Sequence, residues 1–434
     1  MHVVKRCGFL LLTTMLVLPI AHAQDKTNWI GGWATAMIDA STDRPEKVPV
    51  LADVTLRQML RIGVDGHSVR IRLSNTFGTQ PVTLDAVSIG RRTADSGSAL
   101  EKTSLHAVTF HGRTEALIAP GATLDSDAVS LDVHANDTLG ISIHVARTTT
   151  PSTWHSNPLQ DQYLSSRGNY TGAATMPVAR TLDTIPWLSG VEVATATPTS
   201  VVVALGDSIT NGFRSTVNAN HRYPDVLADR LHDADRTGTC RHAVLNMGID
   251  GNEVTSADGA IGPGENMVKR FDRDVLGQRG VRFVLLLGGI NDIGEPTMVA
   301  KQHGNAIDGR ALAAHIIDGL QAIVAKSHAA GLPVYGGTIL PFAGTQGAYS
   351  AQGEIARGMV NAWILHRASY DGVVDFDRAL RDPARPLQLR VDFDSGDHLH
   401  PNDSGYRAMA GAISLALFDC AASTTYSVSD ATPP

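Results

Sequence analysis

Apolar residues follow two different spacings along the chain, and the change comes near residue 195. Before it, residues 69–73 read VRIRL and alternate strictly, as a half-buried strand does. Turn residues separate the other short apolar runs, at 56–64, 82–89, 129–133 and 139–145. Asp65-Gly66, between the runs 56–64 and 69–73, predicts a hairpin turn. The pattern from about Trp29 to about Ala194 therefore predicts an antiparallel β-sandwich.

After residue 200, short apolar runs alternate with longer stretches of helical periodicity. The predicted strands are 201–205, 243–247, 281–287, 332–339 and 372–376, and the predicted helices are 223–233, 306–330, 354–369 and 402–418. Such alternation is typical of βαβ units and a parallel sheet, so the chain as a whole has the α/β class. We expect domains at 24–195 and 196–422 that pack closely, and a disordered tail at 423–434.

Residues 1–23 have the pattern of a secretory signal peptide. Lys5 and Arg6 precede an apolar run at 9–20, and Ala21-His22-Ala23 is typical of a cleavage site. The apolar run is too short to span a membrane, and no later segment is long enough either. We therefore expect cleavage after Ala23, a secreted or periplasmic protein, and no stable membrane insertion.

Composition and charge narrow the range of partners and cofactors. Removal of Lys5 and Arg6 takes the formal net charge of the 434-residue chain from −7 to −9, which argues against a nucleic-acid partner. No cluster of Cys or His has the spacing of a zinc site, so we expect no metal. Cys240 and Cys420 would pair in an oxidising compartment or remain two separate buried thiols, and the sequence leaves both open.

A serine stands where the first strand of the second half ends. The segment 201–212 reads VVVALGDSITNG, so the predicted strand ends at Gly206 and Ser208 lies on the connection that follows. Reactive groups of open α/β sheets gather at the carboxyl ends of the strands, which makes Ser208 a candidate nucleophile. The alternative is that Ser208 caps a helix.

A base and an acid come together near the end of the second half. In the segment 397–401, DHLHP, Asp397 precedes His400 by three residues, so its carboxylate can reach Nδ1 and leave Nε2 for a serine. Asp392 and Asp394 are the alternative acids, and His398 is expected to be exposed or structural.

Candidate oxyanion donors follow the second and third strands. A glycine of the segment 246–252 would offer its backbone N–H, and Asn291, in the segment 288–292, would offer its side-chain amide. The alternative is that these glycines only turn the chain and Asn291 caps a helix. Four such segments in order, three of them at successive strand ends, favour a serine hydrolase.

These four segments resemble the sequence blocks of the SGNH (GDSL-type) hydrolases over about residues 200–420. The resemblance implies a three-layer, flavodoxin-like domain without metal or cofactor. It also implies Ser208 as nucleophile, His400 as base and Asp397 as orienting acid. The oxyanion donors would be the N–H groups of Ser208 and Gly251 and the amide of Asn291, with Gly248 as the alternative to Gly251. The absence of a G-x-S-x-G elbow argues against the α/β-hydrolase fold.

The whole chain is similar to secreted bacterial GDSL esterases with an N-terminal β-domain, some of them acetyl xylan esterases, on the segments 56–58, 72–78 and 153–156. This implies hydrolysis of short acyl esters, above all acetyl esters, on a polysaccharide or another small ester substrate. The alternatives are a lipase, arylesterase or thioesterase of the same fold, and a noncatalytic carbohydrate-binding protein. Trp154, His155 and Tyr163 would either form a sugar-stacking rim, with Trp154 and His155 binding substrate, or fill the interface between the domains. The oligomeric state stays open.

Overall fold

The computed structural model describes residues 28–93, 97–235, 240–255 and 263–419. The predicted signal peptide, the predicted tail and Cys420 lie outside these residues.

The first half of the described chain is built from strands. They are β1 Asn28–Ala34, β2 Ile38–Asp39, β3 Val54–Arg61, β4 Gly66–Ser74, β5 Val82–Leu84, β6 Ala86–Arg91, β7 His106–Val108, β8 Ala116–Ile118, β9 Thr123–Asp125, β10 Val129–Val133, β11 Thr138–Val145, β12 Thr153–Ser156, β13 Gln162–Arg167, β14 Val178–Leu182, β15 Thr184–Pro186 and β16 Leu188–Thr195.

Two antiparallel sheets dominate this half. One has the order β1-β16-β4-β10, with β9 beside β4, and the other has the order β14-β13-β3-β11-β6-β7. Strand β10 shows why the chain forms them: Val129, Leu131 and Val133 are buried while Ser130 and Asp132 are exposed. The predicted antiparallel, strand-rich first half is confirmed.

The predicted hairpin at Asp65-Gly66 is wrong. Strand β3 pairs with β11 and β13, whereas β4 pairs with β16, β9 and β10 in the other sheet. Residues 62–65 carry the chain between the sheets, and Ile62 and Val64 are buried on the way. A turn signal between two apolar runs describes the local backbone, but it does not decide which strands pair.

The second half alternates strands and helices, as its spacing predicts. Its strands are β17 Thr199–Gly206, β18 Arg241–Gly248, β19 Val281–Leu287, β20 Val334–Gly337, β21 Gly372–Val374, β22 Arg381–Asp382 and β23 Arg385–Leu389. Its helices are α1 Ser208–Asn211, α2 Tyr223–Ala234, α3 Met267–Phe271, α4 Ile290–His303, α5 Gly309–Ala329, α6 Ala351–His366, α7 Phe376–Leu380 and α8 Asp403–Ala412. Residue 376 begins a helix and does not end a strand, and the predicted helix 402–418 stops at Ala412 and resumes as a 3-10 turn, Leu415–Phe418.

A parallel five-stranded sheet with the order β18-β17-β19-β20-β21 forms the centre of this half, which confirms the predicted α/β class. Gly206 lies opposite both Gly248 and Leu287 in the strand register. The connections that follow β17, β18 and β19 therefore leave the sheet side by side at its carboxyl edge. No helix within the described ranges is both long and apolar enough to cross a membrane.

The two halves pack directly on each other. Strand β1 lies against β18, and the Gly31 N–H donates to the Arg279 carbonyl over 2.9 Å. A Cβ at Gly31 would come within 2.8 Å of Leu245, so the glycine permits this close approach. An ion pair between Asp65 and Arg241 also joins the halves.

Candidate active site

The backbone around Ser208 is tightly constrained. Asp207 caps helix α1, since its carboxylate accepts the Ile209 N–H over 2.9 Å. Ser208 is the first helical residue, so the alternative of Ser208 as the cap is wrong. A Cβ at Gly206 would lie 2.0 Å from Thr210 Oγ1 and 2.6 Å from the Leu287 carbonyl oxygen. Only glycine allows this turn, which leaves Ser208 at the carboxyl edge and 6% exposed.

A chain of two hydrogen bonds links Ser208 to a carboxylate. Ser208 Oγ is 2.9 Å from His400 Nε2, and His400 Nδ1 is 2.9 Å from Asp397 Oδ2. Asp397 Oδ1 accepts the N–H groups of Leu399 and His400 over 3.0 and 2.8 Å. Burial alone would raise the pKa of Asp397, but these hydrogen bonds outweigh it and hold that pKa well below its usual range. With Asp397 ionised, His400 Nδ1 carries the proton and Nε2 is free to accept from Ser208.

The alternative acids are placed elsewhere. Asp394 Oδ2 lies 2.6 Å from Nδ1 of His398, and Asp394 Oδ1 accepts the His398 N–H. Asp392 lies beside Arg390, at 3.6 Å. Asp397 is therefore the carboxylate that contacts the His400 ring, whereas Asp394 is bonded to His398.

Two residues that the sequence reasoning missed border the His400 ring. Phe213 packs edge-on against it, with ring centroids 4.7 Å apart, and Arg214 Nε lies 3.3 Å from Asp397 Oδ2. Tyr406 holds this segment in place by donating to the Phe213 carbonyl over 2.6 Å. In the sequence, the one signal for Phe213 and Arg214 was their position directly after the segment that contains Ser208 and ends at Gly212.

Asn291 lies in the first turn of α4, close to the loop after β18. Gly289 occupies the cap position with φ 112°, so the alternative that Asn291 caps this helix is wrong. Asn291 Nδ2 donates to the Asn252 carbonyl over 3.0 Å. Asp292 accepts the Val254 N–H over 2.9 Å and so joins α4 to the same loop.

The loop after β18 separates the roles of its two glycines. The Gly248 N–H donates to Asn246 Oδ1 over 2.9 Å, and a Cβ at Gly248 would lie 2.1 Å from the Asn211 backbone nitrogen. Gly251 has φ 72°, and no hydrogen bond among the described residues uses its N–H. Of the two glycines, Gly251 is the one whose backbone N–H has no partner in the described part of the chain.

Arg270, another residue that the sequence reasoning missed, lies fully buried beneath this edge of the sheet. Its guanidinium donates to the carbonyls of Gly206 and Met247, over 2.8 and 2.9 Å, and to Asn252 Oδ1 over 3.0 Å. Asp274 balances its charge at 3.0 Å. Arg270 thus ties the ends of β17 and β18 to the loop that contains Gly251.

The prediction that Trp154 and His155 bind substrate on a sugar-stacking rim is wrong. Trp154 is 0% exposed and His155 is 3% exposed, so neither ring presents a face to a ligand. His155 Nδ1 lies 2.9 Å from the Ala36 carbonyl oxygen, and burial lowers the pKa of His155 to about 4. Tyr163 is also buried, where it packs with Met59. Aromatic side chains with one polar atom, such as Trp and Tyr, can pack in a sheet interior as well as against a sugar, so the residue types alone did not decide between the two.

Within the described ranges, no three His, Cys, Asp or Glu side chains come together as a metal site. Cys240 is disulfide-bonded, and Cys420 lies outside the described residues.

Comparison with known proteins assigns this half of the chain to a family. Residues 204–408 match the model of the GDSL-like Lipase/Acylhydrolase family. Among solved structures, the chain is similar to a carbohydrate acetylesterase family member from Sinorhizobium meliloti, with 16% identity, coverage of 49% of this chain and 94% of that chain, and a TM-score of 0.37. It is also similar to a GDSL-like lipase from Bacteroides thetaiotaomicron VPI-5482, with 18% identity, coverage of 50% and 89%, and a TM-score of 0.34. Likenesses at this level do not bear on the substrate, and no curated protein matches the chain. Residues 204–408 therefore form a GDSL-like lipase/acylhydrolase domain.

Proposed function

We propose that this protein is a serine esterase in which Ser208, His400 and Asp397 form the catalytic triad. The observation that carries the proposal is the unbroken hydrogen-bond chain from Ser208 Oγ through the His400 ring to Asp397, with both bonds at 2.9 Å. Its polarity suits general-base activation of the serine, because the ionised carboxylate holds the proton on Nδ1.

The reaction proceeds through an acyl-enzyme. Ser208 Oγ forms a bond to the ester carbonyl carbon while His400 Nε2 takes its proton, and Asp397 stabilises the resulting imidazolium. The tetrahedral intermediate collapses when the C–O bond to the leaving alcohol breaks and the imidazolium returns the proton to that oxygen. Water, activated by His400, then cleaves the acyl-serine and releases the acid.

The oxyanion would be held by the N–H groups of Ser208 and Gly251 and by the Asn291 amide. The Gly251 N–H has no partner among the described residues, which supports its role as a donor. The Asn291 amide carries two N–H groups and spends one on the Asn252 carbonyl, so the second remains for the substrate. The bond to Asn252 would also fix the direction of that second N–H before the charge develops.

We propose that the acyl group is short, above all acetyl, and that the alcohol is a sugar of a polysaccharide. Polar side chains lie close to the Ser208–His400 pair: Asn211 bonds to Asp250, and Arg214, 54% exposed, bonds to Asp397. Phe213 is the one aromatic ring that packs on His400 among the described residues. A long acyl chain would need a continuous apolar surface to leave water. The whole chain also resembles secreted bacterial GDSL esterases, some of which are acetyl xylan esterases, and the segments 56–58, 72–78 and 153–156 that carry this resemblance reflect the two-part architecture more than the substrate.

We also propose that the protein is exported. The signal-peptide pattern of residues 1–23 supports this location, and so does the disulfide at Cys240, since disulfides persist in oxidising compartments.

The test compares the mature protein with Ser208→Ala on p-nitrophenyl acetate. We expect hydrolysis by the wild type and its loss in Ser208→Ala. The matched control is Ser215→Ala, which removes a buried hydroxyl that makes no hydrogen bond among the described residues. Equal rates for the wild type and Ser208→Ala would refute the proposed nucleophile.

A second series addresses the acyl group and the alcohol. We expect kcat/KM to fall from p-nitrophenyl acetate to the palmitate ester, and acetate to be released faster from acetylated xylan than the background rate. A preference for long chains would make the protein a lipase and refute the acetyl assignment.

A further inference from the structure

The connection between β12 and β13, residues 157–161, reaches from the N-terminal half to the loops that hold Ser208 and Gly251. Asn157 Nδ2 donates to Asp250 Oδ2 over 2.7 Å. Asn211, at the end of α1, donates to Asp250 Oδ1 over 2.8 Å and to the Asn157 carbonyl over 3.0 Å. These three bonds join both halves of the chain within three residues of Ser208 and directly before Gly251.

Asp250 depends on these two donors. Burial raises the pKa of Asp250, and the hydrogen bonds from Asn157 and Asn211 act in the opposite direction. Each carboxylate oxygen of Asp250 accepts a hydrogen bond from one of the two amides, so the position of the carboxylate is specified from both sides. A carboxylate in such surroundings that loses a donor moves toward water or another donor, because an unsatisfied charge is costly. Gly251, with its positive φ, would move with it.

Asn157 itself is firmly held by the N-terminal half. Its N–H donates to the Asp183 carbonyl over 2.8 Å, and its backbone is left-handed, with φ 55°. Asparagine tolerates this conformation better than most residues. The amide that meets Asp250 is therefore presented from a fixed backbone.

The same connection also braces the loop that borders His400. Asn218 Nδ2 donates to Asp161 Oδ2, and the Asp161 N–H donates to Asn218 Oδ1, both over 2.8 Å. The Asn218 N–H donates to the Leu159 carbonyl over 2.9 Å. Asn218 belongs to the loop that begins with Phe213, the ring packed against His400.

We infer that Asn157 is a positioning residue for ester hydrolysis: through Asp250 it holds the Gly251 N–H where the oxyanion forms. The N-terminal half is then part of the catalytic unit and more than a cover over the second half. This inference rests on the proposed esterase function and deepens it.

The test uses the full mature chain, with kcat and KM measured on p-nitrophenyl acetate. Asn157→Ala removes the donor, and Asn157→Asp places a second carboxylate against Asp250. Because a misplacement of about 1 Å costs up to about 10²-fold in rate, we expect kcat to fall about 10- to 100-fold in both variants, with KM little changed.

An exchange of the two side chains provides the rescue. In Asn157→Asp combined with Asp250→Asn, the new amide at 250 donates to the new carboxylate at 157 and still accepts from Asn211. We expect this double variant to recover most of the kcat that Asn157→Asp loses, because the exchange restores the 157–250 hydrogen bond with its direction reversed.

The matched control is Arg241→Gln, which breaks the ion pair with Asp65 across the same interface. Arg241 lies opposite Thr199 at the amino end of the parallel strands, at the far edge of the sheet from Ser208. We expect kcat to stay at the wild-type value, with melting curves showing that every variant is folded at the assay temperature.

Four results would overturn the inference. A wild-type kcat in Asn157→Ala, while Ser208→Ala is inactive, would refute the role of Asn157 and leave the proposed function intact. An equal loss in Arg241→Gln, or no recovery in the double variant, would show that interface stability and not the Asp250 contact matters. A wild-type protein that hydrolyses no ester would refute the proposed function, and the inference with it.

Discussion

Asp397→Asn should impair the proposed reaction more than the loss of one charge suggests, because of how the carboxylate is held. Asp397 Oδ1 accepts two backbone N–H groups, from Leu399 and His400, while Oδ2 faces Nδ1 of the imidazole. An asparagine has only one acceptor oxygen, and the two backbone N–H groups, of Leu399 and His400, will hold that oxygen on their side. The NH₂ group then faces Nδ1, which must accept, so the proton moves to Nε2 and the ring no longer accepts from Ser208.

The magnitude follows from two contributions. Opposite charges about 4 Å apart at an effective dielectric constant of about 20 interact by about 4 kcal/mol. Asp397 is 26% exposed and shared with Arg214, and screening leaves about 3 kcal/mol of imidazolium stabilisation. Restoring the active tautomer requires an amide flip that gives up two backbone hydrogen bonds, about 1 kcal/mol each. Together these predict a loss of about three to four orders of magnitude in kcat.

The assay is kcat on p-nitrophenyl acetate for Asp397→Asn, with Asp394→Asn as the matched control. Asp394 is bonded to the neighbouring His398 in the same loop, so its amide variant should keep most of the activity. The reasoning is refuted if Asp397→Asn keeps more than a tenth of the wild-type kcat, or if Asp394→Asn loses as much.

Three further predictions concern the surroundings of the triad. Asn291→Ala should lower kcat by about 10²- to 10³-fold with little change in KM, since it removes one oxyanion donor; a change confined to KM would contradict this role. Arg270→Met should lower the free energy of unfolding by about 3–5 kcal/mol in urea titrations, because it leaves the buried Asp274 without one of its partners and takes one donor away from each of three acceptors. Burial raises the pKa of Glu253 to about 7 in the folded protein. Between about pH 4.5 and pH 7 the unfolded chain loses this proton more readily than the folded protein does, so the free energy of unfolding falls as the pH rises. Glu253→Gln should therefore raise the melting temperature at pH 8 and change it little at pH 5, and an equal gain at both pH values would contradict the cause.

The strands of the second half were predictable because a buried parallel strand must be apolar on both faces. Residues 201–205 and 281–287 stand out for that reason, and the edge at which their connections meet follows from the rule that parallel strands share a direction. Ser208, Asn291 and Asp397 were identifiable as candidates from short motifs at these connections. The pairing of β3 and β4 was not predictable, since their alternating pattern suits either sheet.

The choice among equivalent groups depended on backbone conformation and hydrogen bonds that residue type and spacing do not specify. Asp397 and Asp394 are both close to a histidine in the chain, but the backbone N–H groups of residues 399 and 400 turn one of them toward the triad ring. Gly248 and Gly251 look alike in sequence, and the Asn246 side chain occupies the N–H of one of them. These contacts are short in sequence, but they form only in the backbone conformation that the folded loops adopt.

By itself, the sequence determined the alternation of strands and helices, the edge of the sheet where chemistry gathers, and the residue types that stand there. Only the tertiary structure decided that Trp154 is interior, that Arg270 joins two strand ends, and that Asn157 crosses from one half to the other. The physical reason is one of range. Periodicity and turn chemistry act within a few residues, whereas the burial of a ring or the satisfaction of a buried charge depends on whatever the folded chain brings beside it.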